Sequence, residues 1–479
     1  MFTTTEVTAV PPVPTPVPVR VRSPWLVLAV AATAVFVVFL DTTALFVAYP
    51  DLRASFPSVS AANLSWVLNA YTITFAALLI PSGRLADRIG RKRVFLTGSV
   101  LFAAASALCG IAPNPNVLVL ARVIQAAGAA ALVPASLAVI LRAFPRERIP
   151  VAVAIWGAVG ALAAAAGPTF GAAMVEWFGW RSVFYINLPI TVVAVVCARR
   201  ILVESKEDNP GPIPDIVSVI LLAAGVAVLS LAVVQGDGWG WASALTLGSF
   251  AIAVVLLAVF IARCASVAAP LIELDLFRAN NFRWANLAMF TYAIGFTATF
   301  FANIQFLTSV WGYSVLRAGF AIVPGPLIVA TLAPTAGRIA ARYGQRVLLV
   351  PGGLLWAAST LWLITRVDAS PHYVTHWLPS VVLTGIAVAM CLPQLSSAAV
   401  QGLPSDRYAS GSAINQALRQ LGSTIGVALV VAFAGVNTPL NVVDHFRLVW
   451  WMIVVSGVAV AAAASLLKTT GRATVPVRR

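Results

Sequence analysis

The chain has 479 residues, of which 60% are hydrophobic and only 10% charged, and its formal net charge is +15. Soluble domains run nearer 45–50% apolar and about 25% charged, which excludes a soluble enzyme, a disordered protein and a secreted disulfide scaffold. A helix crosses a membrane with roughly 20 apolar residues, so this composition furnishes on the order of fourteen spans.

Residues 1–24 hold Pro11, Pro12, Pro14, Pro16, Pro18 and Pro24 with few large apolar side chains. Such a segment buries too little surface to fold, which predicts a disordered cytoplasmic tail. Apolar stretches then recur at 26–48, 62–81, 95–113, 117–140, 150–175, 183–203 and 216–235. They continue at 244–264, 283–310, 317–338, 347–365, 376–399, 412–434 and 446–468. Each is near the length of a spanning helix, the form in which a segment satisfies its own backbone in hydrocarbon.

Charge placement supplies an independent check on that count of fourteen. With the N-terminus inside, 24 of the 31 lysines and arginines fall in cytoplasmic segments. Arg53, Arg181, Arg317, Arg366 and Arg447 fall outside, and Arg122 and Arg419 fall within spans. This asymmetry orients both termini to the cytoplasm. It also accounts for the +15 as a topology signal, leaving none for nucleic acid.

The segment Gly83-Arg-Leu-Ala-Asp-Arg-Ile-Gly90 after span two is repeated as Gly337-Arg-Ile-Ala-Ala-Arg-Tyr-Gly344 after span ten. Self-similarity after corresponding spans points to two pseudo-symmetric halves with a binding site between them. Spans one to six then correspond to spans nine to fourteen. The expected organisation is a six-helix bundle at 25–203, a linker with two inserted helices at 204–265, a second bundle at 266–468 and a basic tail at 469–479.

Little in the chain supports catalysis. Cys109, Cys197, Cys264 and Cys391 are scattered singly and read as small buried hydrophobes. His372 and His376 are four apart, a metal-clamp spacing on a helix, but Pro371 and its neighbours favour a solvated loop. All three histidines, His445 included, are expected in outside loops, and Asp41 is the sole mid-membrane acid. An embedded enzyme needs clustered acids, histidines or an activated nucleophile at membrane depth, so that alternative and a membrane scaffold rank last. No phosphate-cradling loop is present to bind ATP.

Several spaced motifs run along the chain: Leu40-Asp41-Thr-Thr43 with Ala48 and Pro50, Gly83 to Lys92, Arg122-Val-Ile-Gln125, and Gly167-Pro168 with Gly171. Further along come Trp180-Arg181 with Phe184, Asn187 and Pro189, then Pro270-Leu271 to Arg278, and Arg419-Gln-Leu-Gly422 with Gly426. Together they resemble the fourteen-span drug:proton antiporters of the major facilitator superfamily, and the resemblance covers nearly the whole chain, from about Trp25 to Gly426. The chain departs from the pattern at Ala126 and Ala172, where glycine is usual, at Phe46, where a polar asparagine is common, and at Ala341, where the second repeat lacks its acid.

The resemblance implies an all-α polytopic fold of two six-helix bundles plus two inserted helices. It also implies export of hydrophobic or amphipathic small molecules, driven by a proton gradient, without ATP or another cofactor, by a monomer in the bacterial cytoplasmic membrane. A dedicated exporter of one natural product is the alternative. Only three lysines stand against 28 arginines among many alanines, which fits a GC-rich genome.

Read physically, Asp41 and Arg122 are opposite charges at similar depth, about seven and five residues from the outer ends of spans one and four. A conformational change that separates them would swing Asp41 between proton release and uptake. A fixed structural ion pair, or a counter-ion for cationic drugs, is also open to Asp41. Gly83 and Gly90 would allow a tight turn in which Asp87 pairs with Arg91 near Arg88. Such a loop is either a topology-fixing hairpin or, as the resemblance implies, a cytoplasmic gate. Gly167, Pro168 and Gly171 predict a kinked, closely packed hinge or seal. Intramembrane polar residues Asn69, Tyr71, Gln125, Asn303, Gln305, Gln394, Asn415 and Arg419, with Phe46, are candidates for the substrate cavity. With one deep carboxylate, neutral or singly charged substrates should be preferred over dications.

Overall fold

The computed structural model describes residues 23–145, 148–207, 212–401, 403, 407–434 and 442–468. The expected tails at 1–24 and 469–479 lie outside these residues, except Ser23 and Pro24. Fourteen helices are long and apolar enough to cross a membrane. They are α1 (Pro24–Ser55), α2 (Ala61–Ile89), α3 (Arg91–Gly110), α4 (Pro115–Ala143), α5 (Val151–Phe178), α6 (Ser182–Ile201) and α7 (Ile216–Trp239). The second set is α8 (Ala244–Ser266), α9 (Asn280–Ser309), α10 (Val315–Tyr343), α11 (Arg346–Arg366), α12 (Tyr373–Val400), α13 (Ser410–Ala434) and α14 (Val442–Ser465).

The halves repeat the same packing. In the first, α1 packs on α4, α5 and α6, α3 on α4 and α6, and α2 on α4. In the second, α9 packs on α12, α13 and α14, α11 on α12 and α14, and α10 on α12. The halves meet along two seams that the same symmetry exchanges, α2 with α13 and α5 with α10. The inserted helices α7 and α8 pack together, and α7 rests on α2 and α13, so the pair covers one seam only. Asp215 holds this pair at its cytoplasmic end. Its side chain caps α7 at Ser218 N, 2.9 Å away, and takes both Nε (2.5 Å) and Nη2 (3.0 Å) of Arg263 on α8.

Several helices overrun the apolar stretches that announce them. The stretch at 26–48 ends where Tyr49, Pro50, Asp51 and Arg53 begin, yet α1 continues to Ser55. Tertiary contacts hold the extra turns: Tyr49 Oη donates to Ala61 O at 3.1 Å, and Asp51 Oδ2 accepts from Trp180 N at 3.0 Å. Asp41 therefore lies deeper along its helix than the sequence reading places it. Residues 83–89 continue α2 as helix, so Gly83 makes no turn; it faces Pro134, and Gly90 alone turns the chain, at φ +123°. Gly344 ends the second repeat in the same way, at φ +88°. Only glycine adopts such a φ without strain. The histidines are not all in loops: His376 lies in the helical turn opening α12, and His445 is buried in the first turn of α14.

Candidate functional site

Asp41, midway along α1, is fully buried inside the first half, as are Arg122 and Gln125 on α4, Ser106 on α3 and Asn187 on α6. Arg122 Nη1 donates to Asp41 Oδ2 at 2.5 Å and to Gln125 Oε1 at 2.6 Å. Asp41 Oδ1 accepts from Gln125 Nε2 at 2.9 Å and from Asn187 Nδ2 at 2.7 Å. Ser106 Oγ collects the remaining hydrogens of both amides, at 2.8 Å from Gln125 and 3.3 Å from Asn187. Arg122 Nε donates to the carbonyl of Val67 on α2 at 3.1 Å, and its guanidinium lies 3.9 Å from the Tyr71 ring centroid. Four helices thus converge on one carboxylate, and three donors satisfy its two oxygens.

This network suits an ionised carboxylate. A buried charge is tolerated only when paired and hydrogen-bonded, and removing one partner of such a pair typically costs about 3–5 kcal/mol. The groups that do this work are separated by up to 146 positions in the chain. The sequence reading pairs Asp41 with Arg122 and keeps Gln125 for the substrate cavity, whereas in the structure Gln125 bonds to both charges. The sequence reading leaves Asn187 and Ser106 out of the site. Asn187 carries a sequence signal, being a polar residue in an apolar run within the motif shared with the antiporters. Ser106 carries none, since serine in a span most often bonds its own helix, as Ser106 also does to Phe102 O at 2.8 Å.

The glycine–proline segment of α5 lies directly behind this site. A side chain at Gly167 would meet Thr43 Oγ1, and one at Gly171 would come within 2.7 Å of Ala44 Cβ. On the other side, Gly319 of α10 fits against Pro168 O and Ala172 Cβ. The segment therefore touches the helix of Asp41 and the opposite half together. The remaining cavity candidates are dispersed. Phe46 packs at a tilt on Phe301 of α9 with centroids 5.8 Å apart, beside Tyr49 at 4.9 Å, so it closes the outer side between halves. Asn415 bonds Asn286 within the second half at 3.0 Å. Asn69 is fully buried and neither side-chain polar atom has a partner, Gln394 is buried in α12, and Gln305 is half-buried in α9. Arg419 lies 4.9 Å from the Phe39 ring centroid of α1.

At the cytoplasmic end, Arg91 binds Asp87 Oδ1 at 2.9–3.0 Å and Glu207 Oε2 at 2.9 Å. Glu204 accepts from the amides of Lys92 and Arg93, each at 3.1 Å, capping α3 beside Gly90. These contacts join α2 and α3 to the linker after α6, not to the second half. The halves are instead bridged by Arg84, which bonds Ser410 Oγ at 3.4 Å, and by Glu273, 3.7 Å from both Arg84 and Arg407.

Two pseudo-symmetric helical bundles meeting along paired seams, with an ion pair buried in one of them, define a membrane transporter of small molecules. The chain belongs to the major facilitator superfamily, whose family model matches residues 31–285 and 285–478. It is 33% identical over 410 residues to the multidrug resistance protein Stp of Mycobacterium tuberculosis, covering 85% of this chain and 75% of that one. It is 30% identical over 431 residues to the tetracenomycin C resistance and export protein of Streptomyces glaucescens, covering 89% and 78%. Among solved structures, a D-xylose–proton symporter superposes with a TM-score of 0.67 at 16% identity, covering 93% of this chain and 97% of that chain, which establishes the shared fold. The protein is a multi-pass protein of the bacterial cytoplasmic membrane.

Proposed function

We propose that the protein exports hydrophobic or amphipathic small molecules, such as drugs or antibiotics, in exchange for inward-moving protons by alternating access. The observation that carries the reading is the buried Asp41–Arg122 pair, held by Gln125 and Asn187 within the first half. A rocking motion that withdraws Arg122 or admits water leaves the carboxyl free to take a proton from outside. Return of the guanidinium expels that proton inward. The glycine–proline segment of α5, in contact with both α1 and α10, would transmit the change at Asp41 to the seam.

In this scheme the proton gradient is the energy source, ATP and cofactors have no part, and one monomer suffices because each chain supplies both walls of the path. The Stp relative is named for multidrug resistance, and this supports a broad substrate range. The relative named for tetracenomycin C supports the second reading, a dedicated exporter of one natural product. The test is accumulation of a panel of dyes and antibiotics in a pump-deficient bacterial host, with and without a protonophore. Lowered accumulation that the protonophore abolishes is expected; lowering that survives it would refute proton coupling. Protection against many unrelated compounds favours the broad pump, and protection against one chemical class favours the dedicated exporter.

A further inference from the structure

The second half contains a cation that the coupling scheme leaves unused. Arg419 lies nine residues into α13, about 14 Å from its cytoplasmic start at 1.5 Å per residue. Among the described residues its guanidinium forms no ion pair or hydrogen bond, and Nε is buried without a partner. Its aromatic neighbour is Phe39 of α1, so it stands at the boundary between halves. Arg122, toward the outer end of α4 in the first half, has a carboxylate, a carbonyl and an amide oxygen.

Two more buried polar groups of the second half lack partners. Tyr292 of α9 and Trp356 of α11 are each 1% exposed, with ring centroids 5.1 Å apart, and neither Tyr292 Oη nor Trp356 Nε1 has a hydrogen-bond partner. Tyr292 and Arg419 lie within electrostatic reach of one another. Gly422, one turn beyond Arg419, makes this proximity possible, because a side chain there would meet Phe290 O of α9 at 2.5 Å. Beyond Tyr292 the wall is apolar, with Phe296 stacked on Tyr292 at 5.4 Å and Phe300 tilted against Phe296 at 4.9 Å.

We propose that Arg419, Tyr292 and Trp356 form an anion-recognition site, and that the preferred substrates carry a carboxylate or comparable acidic oxygen on an apolar body. The inference rests on the exporter reading for the word substrate, and it adds the charge class. Arginine and the indole N–H can only donate, and a phenol completes the set as a donor, so the missing complement is an acceptor. An uncompensated cation at membrane depth is costly, and an anion entering between the halves relieves that cost while a cation adds to it. Asp41 in one half would then handle the proton, and Arg419 in the other would handle the substrate.

The test uses three probes on one scaffold, 1-pyrenebutanoate, its methyl ester and a pyrenebutyl trimethylammonium, titrated against the purified full-length protein by tryptophan-to-pyrene energy transfer. The carboxylate is expected to bind at least about tenfold more tightly than the cation, the size of one charged hydrogen bond. Arg419→Gln should lower the carboxylate-to-ester affinity ratio by about tenfold, and Arg419→Lys should retain most of it. Should Arg419→Gln fail to fold, Tyr292→Phe removes a single oxygen and is expected to lower the ratio by about threefold. An unchanged ratio in the folded variant, or a cation bound as tightly as the carboxylate, overturns the site. Efflux of the same probes from cells separates the two readings. Export without any dependence of the ratio on Arg419 sinks the site alone. An Arg419-dependent binding preference without export sinks the exporter and leaves the site standing.

Discussion

Asn187 of α6 donates its amide to Asp41 Oδ1 at 2.7 Å, on the side of the carboxylate opposite Arg122. The bond ties the last helix of the first half to the helix that bears the charge. Removing it in Asn187→Ala leaves Gln125 as the only donor to that oxygen. A hydrogen bond to a charged group is worth about 1.5–3 kcal/mol. Asn187→Ala should therefore lose stability of that order, read as a lower melting temperature in detergent, and proton-driven efflux in inverted vesicles should fall with it. Wild-type efflux in the folded variant would show that Asn187 only packs.

Asp41→Asn is expected to reach the membrane and lose uphill efflux. It keeps the shape of the site while leaving Arg122 without its counter-charge, at a cost of about 3–5 kcal/mol in stability. Arg122→Ala should shift the pH optimum or abolish transport. Full protonophore-sensitive efflux by a well-expressed Asp41→Asn protein would mean that the proton travels elsewhere.

Gly171→Val places a branched side chain where a Cβ alone would lie 2.7 Å from Ala44 Cβ and 2.9 Å from its Cα. Overpacking of this kind costs about 1–3 kcal/mol. The melting temperature in detergent should fall and transport should fall further, because α5 also carries the contact to Gly319 in the opposite half. Wild-type efflux in Gly171→Val would contradict a working seam at this segment.

The cytoplasmic bridge is a weak latch. Glu273 is 3.7 Å from both Arg84 and Arg407 and partly exposed, so each pair is worth at most about 1 kcal/mol. Glu273→Gln should raise the inward-open population by up to about fivefold, read as labelling of a single cysteine at the cytoplasmic mouth. Asp87→Asn should move that population less, since the described partners of Asp87 are on its own half and the linker.

Asp215 gives a pH-dependent stability term. Arg263 first, and then Ser218, hold its carboxyl well below the usual carboxylate range. A depressed folded value contributes stability that is fully present above the unfolded value of about 4 and is lost as the pH falls through the lower folded one. Asp215→Asn should therefore melt earlier than wild type at pH 7, with the gap narrowing below about pH 4. A gap that does not change with pH would assign the effect to packing.

The sequence by itself determined the class, the number of spans, their orientation and the duplication. Each rests on a local quantity: the length of an apolar run, the side on which arginines lie, or the repeat of Gly83–Gly90 at Gly337–Gly344. Hydrocarbon enforces these directly, because any apolar run of spanning length must satisfy its backbone as a helix. It also singled out Asp41, Arg122 and Arg419, since ionised groups in apolar runs are conspicuous and costly. Only the tertiary structure decided what those groups meet. The rotation of each helix about its axis follows from small-residue contacts such as Gly171 on Ala44 and Gly422 on Phe290, and no local pattern encodes that rotation. It turns Asn187 and Ser106 into the network of Asp41, gives the bridge between halves to Arg84 and Glu273, and leaves Arg419 against Phe39 with no acid paired to it among the described residues.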